Sequence, residues 1–260
     1  MEAVLSIAGS DSSGGAGIQA DIKTIAAHHL FAETAITALT AQNTLGVTGV
    51  LDIEPAFVAA QIDAVFEDIR PAAVKIGMVS SAAIIATIAE RLRAHGARNV
   101  VVDPVMVATS GARLIDEDAV RALVDELLPL ADVVTPNMPE ATVLCGFDVV
   151  DEETMERAAR QLAGAGKGAV LVKGGHRTDR ADDALVTSSA APAVWLRAPR
   201  IDTANTHGTG CTLSSAIACG LAQGRDVEQA VRAAKDYVSG ALAAGLDLGK
   251  GSGPLDHQWR

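Results

Sequence analysis

Aromatic side chains are nearly missing from this chain, with two Trp, one Tyr and four Phe in 260 residues. A core must then be built from Ala, Val, Ile and Leu, which suits close packing of helices on a sheet. Cysteine is as sparse, at Cys145, Cys211 and Cys219 without a C-x-x-C pair. Neither a disulfide framework nor a zinc site is indicated, and a reducing compartment fits. No window reaches the roughly 18 to 20 consecutive apolar residues of a membrane helix. The chain opens Met-Glu with no basic segment, and the apolar run from Ala3 to Ala8 is too short for a signal peptide. The expectation is a soluble, cytoplasmic protein. An excess of positive charge is also lacking: 21 Lys and Arg against 32 Asp and Glu leave a net charge of −11. That argues against a sequence-independent nucleic-acid surface or an anionic-membrane surface. A phosphate-handling site would have to be a local arrangement.

What is present is alternation. Short β-branched runs (Val4 to Ala8, Thr34 to Leu39, Ala73 to Ile76, Asn99 to Asp103, Asp132 to Thr135, Ala169 to Lys173) are separated by amphipathic stretches. Those stretches predict helices over 17–29, 55–68, 81–95, 116–129, 152–165, 210–223 and 226–244. Such βα alternation implies an α/β fold, a mostly parallel sheet with helices on both faces. Val100-Val101-Val102 reads as a strand buried on both sides, and weaker strands at Ala184 to Val186 and Ala193 to Leu196 read as an edge hairpin. No repeat or linker divides the chain, so one domain over residues 1–260 is expected.

The most informative stretch is Asn205-Thr206-His207-Gly208-Thr209-Gly210-Cys211-Thr212. It leads into a helix whose apolar positions are Leu213, Ala216, Ile217 and Leu221, with Thr212 and Ser214 as cap candidates. Gly208 and Gly210 let the backbone approach an anion at the positive end of that helix. A Cys at a helix N-terminus has its pKa lowered and can act as a base, whereas a bound polyphosphate would raise it. The opposing reading is a helix-entry turn followed by an inert buried Cys.

Other chemically costly residues fall just beyond strand ends, where ligands bind in open parallel sheets. The first strand runs into Gly9-Ser10-Asp11-Ser12-Ser13-Gly14-Gly15-Ala16-Gly17, then a helix carrying Asp21. Gly15 and Ala16 stand where a P-loop needs Lys and Ser/Thr. Gly15 to Ala20 matches G-x-G-x-x-A, but the polar loop Gly9 to Gly14 separates it from the strand, against a dinucleotide fingerprint. The loop reads as a small-ligand loop with Asp21 facing the pocket, or as a surface loop with an ordinary first-helix acid. Asp103 and Glu140 could together serve Mg²⁺ that keeps several waters and takes other ligands from a polyphosphate; Glu140 could equally be a first-turn helix acid. Lys173 could reach phosphate or snorkel beside a turn. Gln42 offers donors and an acceptor, the complement of an aminopyrimidine edge. Met78, Val105 and Met106 serve as an apolar wall or as core. His176 and His207 read as turn residues, because no carboxylate is placed by sequence to partner either.

With these residues assembled, the chain resembles the ribokinase-like superfamily and, within it, the hydroxymethylpyrimidine/phosphomethylpyrimidine kinases of thiamin biosynthesis. The likeness rests on Ala8 to Asp21, Thr40 to Thr44, Lys75-Ile76-Gly77-Met78, Asp103-Pro104-Val105-Met106, Thr135-Pro136-Asn137, Lys173 to His176, Asn205 to Thr212 and Gly249 to Pro254. It implies a single-domain ribokinase-like fold and ATP- and Mg²⁺-dependent phosphorylation of 4-amino-5-hydroxymethyl-2-methylpyrimidine, then of its monophosphate, by a homodimer. By resemblance, Gln42 reads the pyrimidine, with Gly9, Asp21, Met78 and Val105 around it. Asp103 and Glu140 serve Mg²⁺ and phosphates, and Lys173, Asn137 and Thr206 lie toward ATP. Gly208, Thr209, Gly210 and Cys211 form the anion hole, and Cys211 stands where most of the superfamily place an Asp base. The segment 107–111 corresponds to a mobile flap that in some relatives carries Lys where Thr109 stands. The competing readings are a pyridoxine or pyridoxal kinase, a non-catalytic pyrimidine-binding module and a Rossmann dehydrogenase.

Overall fold

Successive valines divide the core. Val100 and Val102 face one apolar cluster and Val101 the other, as the side-chain alternation of a doubly covered strand requires. The computed structural model describes residues 1–106, 115, 117–166, 168–175 and 180–260. Its strands are β1 (Ala3–Asp11), β2 (Phe31–Asn43), β3 (Gly46–Asp52), β4 (Ala73–Ile76), β5 (Val100–Val102), β6 (Val133–Val134), β7 (Ala169–Val172), β8 (Asp183–Val186) and β9 (Val194–Leu196). Its helices are α1 (Gly17–Ala27), α2 (Pro55–Asp68), α3 (Ala82–His95), α4 (Glu117–Ala122), α5 (Met138–Cys145), α6 (Glu152–Ala165), α7 (Thr209–Ala222) and α8 (Val227–Ala244).

The strands form one sheet in the order β3-β2-β1-β4-β5-β6-β7-β8-β9. The six strands from β2 through β7 pair in parallel, and β3, β8 and β9 are antiparallel additions at the edges. Helices α2 to α6 cover one face, packing Ile62, Ile85, Ile88, Leu127 and Met155 against Leu5, Ile7 and Val74. Helices α1, α7 and α8 cover the other, with Ile25, Ile217, Val231 and Tyr237 against Val4, Val101 and Leu171. β1 has β2 on one side and β4 on the other. The chain therefore reverses its direction of travel across the sheet at β1, and the crevice beyond the carboxyl ends there is where an open α/β sheet binds ligands.

Three expectations need correction. Residues Gly9 to Asp11 are not loop but the last residues of β1, which shifts register between Ala8 and Ser10 yet keeps pairing to Thr40. The predicted helix over 116–129 is helical only as α4; a π turn (Leu123–Leu127) and a 3₁₀ turn (Leu128–Leu130) follow, because Pro129 has no amide and crowds the preceding turn. Strand β3 was not expected, and helix α5 only through the alternative reading of Glu140 as a first-turn acid. The flap segment 107–111 and His176 lie outside the described residues.

Candidate active site

Helix α7 starts on a turn that no side chain caps. Gly208 is its N-cap with φ of +87°, and a Cβ there would collide with the carbonyl oxygen of Gly15. Only glycine satisfies both conditions. Side chains of Ser81, Asn137, Asp151 and Asp226 close α3, α5, α6 and α8. In α7 the expected cap hydroxyls turn back instead: Thr212 Oγ1 donates to the Gly208 carbonyl at 2.8 Å and Ser214 Oγ to the Gly210 carbonyl at 2.9 Å. The first-turn amides of Gly210 and Cys211 thus have no side-chain acceptor, at the end where the helix dipole favours an anion. Thr209 leans back on exposed Thr206, its hydroxyl donating to the Thr206 carbonyl at 2.7 Å.

An ion pair from two other strand ends sits against that turn. Lys173 Nζ donates to Asp103 Oδ1 at 2.8 Å, and the Thr135 hydroxyl donates to the same oxygen at 3.2 Å. A Cβ on Gly210 would lie 3.1 Å from Asp103 Oδ2 and 3.4 Å from Lys173 Nζ. Bare backbone is what lets the pair come this close. Burial works against the Lys173 charge, but Asp103 and Glu140 outweigh it and raise its pKa. Glu140 lies in the first turn of α5, where it and the N-cap Asn137 form a reciprocal capping box: Asn137 N–H donates to Glu140 Oε2 at 2.7 Å and Glu140 N–H to Asn137 Oδ1 at 2.9 Å. The helix-acid reading of Glu140 is therefore met in geometry, and Asn137 is tied to that cap. Burial nevertheless pushes the Glu140 carboxyl up, against Lys173 and with Asp103. Among the described residues, Asp103 Oδ2 receives only a long 3.5 Å contact from Ser214 Oγ. A carboxylate oxygen with spare lone pairs beside a carboxyl short of positive charge is a donor set that suits Mg²⁺.

Beneath the turn is a buried ion pair. Lys75, on β4, donates to both oxygens of Asp21 at 2.9 and 2.8 Å, and both side chains are fully enclosed. Ser6 Oγ and Ser215 Oγ also donate to Asp21, at 2.5 and 2.8 Å. Asp21 therefore does not face an open pocket, as expected from sequence; its oxygens are taken up in holding Lys75. Burial opposes the Lys75 charge, and Asp21 more than restores it. The half-buried Cys211 thiol feels the Lys75 charge and the amide of Gly17, the first residue of α1. The sequence set a lowering by the helix terminus against a raising by polyphosphate; in the structure burial, which neither reading included, pushes the thiol up to about 11, helped by Asp21 and Asp103 and opposed by Lys75 and the Gly17 amide.

The other wall of the crevice is made by β1, β2 and the segment after β4. A Cβ on Gly9 would be 3.0 Å from Met78 Sδ, so the missing side chain makes room for half-buried Met78. Val105 is half-buried after β5, its amide turned back to the Asp103 carbonyl at 2.8 Å. Gln42 lies near the end of β2, 3.2 Å from His207 Nε2. His207 is not a free turn residue: it is buried, and its Nε2 is 2.8 Å from Asp11 Oδ2. Asp11 also accepts from the amides of Ser13, Gly15 and Ala16. Burial pushes its carboxyl up, and the bonds from His207, Ser13 and Ala16 outweigh that, holding it down at about 2.

The family model for phosphomethylpyrimidine kinase matches residues 11–256. The chain belongs to the phosphomethylpyrimidine kinase family. It is 54% identical to the hydroxymethylpyrimidine/phosphomethylpyrimidine kinase of Rhizobium meliloti, over 97% of this chain and 96% of that one. A crystal structure of phosphomethylpyrimidine kinase from Clostridium difficile superposes with a TM-score of 0.81 at 44% identity, covering 92% of this chain and 98% of that one. The pyridoxal kinase of Staphylococcus aureus in complex with AMP-PCP and pyridoxal superposes with a TM-score of 0.90 at 33% identity, covering 99% and 94%.

Three residues that contact the expected site residues or His207 were named in sequence only as members of motifs. Lys75 was noticed only inside a motif, although a lysine in the otherwise apolar strand Ala73–Ile76 is itself a signal, since a buried ammonium must have a partner. Asp11 was read only as part of the loop after the first strand, and Thr40 only as part of Thr40 to Thr44. Among the expected residues, the structure brings Cys211, Gly208, Gly210, Asp103 and Lys173 together with Glu140 behind them, and it gathers Gly9, Met78 and Gln42 on the opposite wall.

Proposed function

We propose that this protein transfers the γ-phosphoryl group of ATP to 4-amino-5-hydroxymethyl-2-methylpyrimidine and then to the resulting monophosphate, as a single kinase domain in thiamin biosynthesis. The observation that carries the reading is the uncapped glycine turn of α7 with the Asp103–Lys173 pair set against it, in a chain of this family. Phosphoryl transfer asks chiefly for positioning and charge stabilisation. The turn Gly208-Thr209-Gly210-Cys211 offers the amides of Gly210 and Cys211 and the helix dipole to the group in flight. Lys173 gives it a fixed cation, and Asn137 and Thr206 border the nucleotide side. Asp103, with Glu140 behind it, would hold Mg²⁺, which when bound neutralises polyphosphate charge. Gln42 reads the ring, and Gly9, Met78 and Val105 give it a flat apolar seat. Asp21 acts from beneath by holding Lys75. Cys211 is the base for the alcohol, which must lose a proton; the monophosphate already offers an anionic oxygen.

We also place the protein in the cytoplasm, as a homodimer. Its outermost strand β3 leaves one backbone edge unpaired, beside exposed Val50, Leu51 and Phe57. An apolar sheet edge of this kind invites pairing with a second copy. Sedimentation of wild type against Leu51→Asp/Phe57→Asp reads this directly: a wild type that sediments as a monomer removes the dimer.

ADP release is to be followed with the hydroxymethylpyrimidine, its monophosphate and pyridoxal side by side. Turnover of both pyrimidines with kcat/KM above that for pyridoxal is expected. Turnover of pyridoxal alone overturns the assignment, and pyrimidine binding without ADP release makes the protein a binding module.

A further inference from the structure

The half-buried hydrogen bonds around Gln42 settle which way round its carboxamide lies. With Nε2 placed 3.2 Å from His207 Nε2 and Oε1 placed 3.3 Å from Thr40 Oγ1, the donors and acceptors do not match. His207 Nε2 lies 2.8 Å from Asp11 Oδ2, and an ionised carboxylate only accepts. Nε2 of His207 must therefore carry a hydrogen, and it cannot also accept one from Gln42. The Thr40 hydroxyl has a single hydrogen, and Ser10 carbonyl takes it at 2.9 Å. Thr40 Oγ1 thus meets Gln42 as an acceptor. Both ends of the amide are mismatched at once; one half-turn, which changes no shape, makes Gln42 a donor to Thr40 Oγ1 and turns its oxygen to the His207 N–H, whose hydrogen it shares with Asp11 Oδ2 as the longer acceptor at 3.2 Å.

We infer that His207, anchored by Asp11, is a positioning residue that fixes the Gln42 carboxamide with Oε1 toward His207 and Nε2 toward Thr40, and so sets the donor–acceptor polarity of the ring edge this site accepts. The inference rests on the proposed role of Gln42 in reading the ring. His207 immediately precedes Gly208, so one residue ties the ring reader to the phosphoryl turn. An aminopyrimidine edge presents a ring-nitrogen acceptor beside an amino donor; its 4-oxo isostere presents the reverse pattern in the same outline. A site of fixed polarity discriminates between them, because the wrong edge leaves buried groups unpaired.

The test has two readouts. In full-length protein carrying ¹⁵N-labelled glutamine, the Gln42 side-chain amide protons should show nuclear Overhauser contacts to the Thr40 methyl and none to the His207 ring; the reverse pattern overturns the inference. In kinetics, His207→Phe and Thr40→Val should each lower the ratio of kcat/KM for the aminopyrimidine over its 4-oxo isostere by about tenfold or more, through KM more than kcat. If both variants slow the two rings equally, His207 is merely structural and the inference falls. If wild-type protein phosphorylates neither ring, it is the kinase reading that fails, and the spectrum still judges the orientation of Gln42.

Discussion

Lys75 Nζ lies 2.8 Å from Asp21 Oδ2 with neither side chain open to solvent, directly under the helix turn proposed to hold phosphate. Removing one partner strands a buried charge. Lys75→Met is expected to lower the unfolding free energy by about 3–5 kcal/mol in urea titrations, and Lys75→Met/Asp21→Leu to recover much of that loss. Additive losses in the double variant would mean that the pair is not a coupled unit.

With the Cys211 thiol near 11, little thiolate exists at neutral pH, and its fraction grows about tenfold per pH unit below the pKa. As a base, Cys211 should make the single-turnover rate on the alcohol climb between pH 7 and 9. The monophosphate, with its second ionisation complete above about pH 7, should give a flat profile. Cys211→Ala is expected to slow the first transfer far more than the second and to abolish the climb. Equal losses in both transfers would leave the thiol an orienting group.

Glu33, on β2, is buried with Oε2 lacking any hydrogen-bond partner, and burial with Asp68 nearby pushes its carboxyl up to about 7. Its folded pKa exceeds the ordinary value of 4.5, so the folded state holds this proton more tightly than the unfolded chain. The sign follows: stability is greatest below about pH 4.5 and is lost as pH rises toward 7. Glu33→Gln should therefore raise the melting temperature at pH 8 and change it little at pH 4. An equal gain at both pH values would mean that the charge is not the cause.

Glycines at two helical sites should respond in opposite ways. Gly208→Ala forces a Cβ into Gly15 at positive φ, and both phosphoryl transfers should be lost by 10²-fold or more, roughly the cost of removing one anion-hole donor. Gly164, inside α6, has only Ser189 Cβ at 3.6 Å from where its own Cβ would stand. Gly164→Ala should stabilise the protein by about 0.5–1 kcal/mol without touching kinetics. Calorimetry and initial rates on the two variants check both statements.

Long buried elements were legible in sequence because their pattern is set by water: the bounds 55–68 and 152–165 match α2 and α6, and Ala73–Ile76 matches β4. Strand β3 was not, because it is exposed on both faces and carries no alternation. Helix α5 hid between Pro136 and Pro139; Pro139 reads as a breaker but sits in the first helical turn, where its missing amide costs nothing. Strand-end residues such as Asp103 and Lys173 could be found because topology sends them all to one edge. The Asp11–His207 contact joins positions 196 residues apart, and no local rule pairs them. The Cys211 pKa stayed open in sequence for a related reason: the helix terminus is visible there, whereas the burial that pushes the thiol up is not.

Strand β2 runs from core to crevice, with one register shift where its pairing to β1 steps from Ile36 to Leu39. Along its last residues Ala38, Thr40 and Gln42 turn inward while Leu39, Ala41 and Asn43 are exposed. For the proposed reading of the ring by Gln42, the facing of the carboxamide is a matter of parity. One residue inserted after Ala38 would leave the hydrophobic half of the strand in place and rotate the carboxamide to the solvent side, presenting a different side chain to the substrate. Two inserted residues would restore the facing but lift it by about 7 Å. Substrate choice in this scaffold can thus be rewritten by counting residues along a strand, without altering a single atom of the phosphoryl turn.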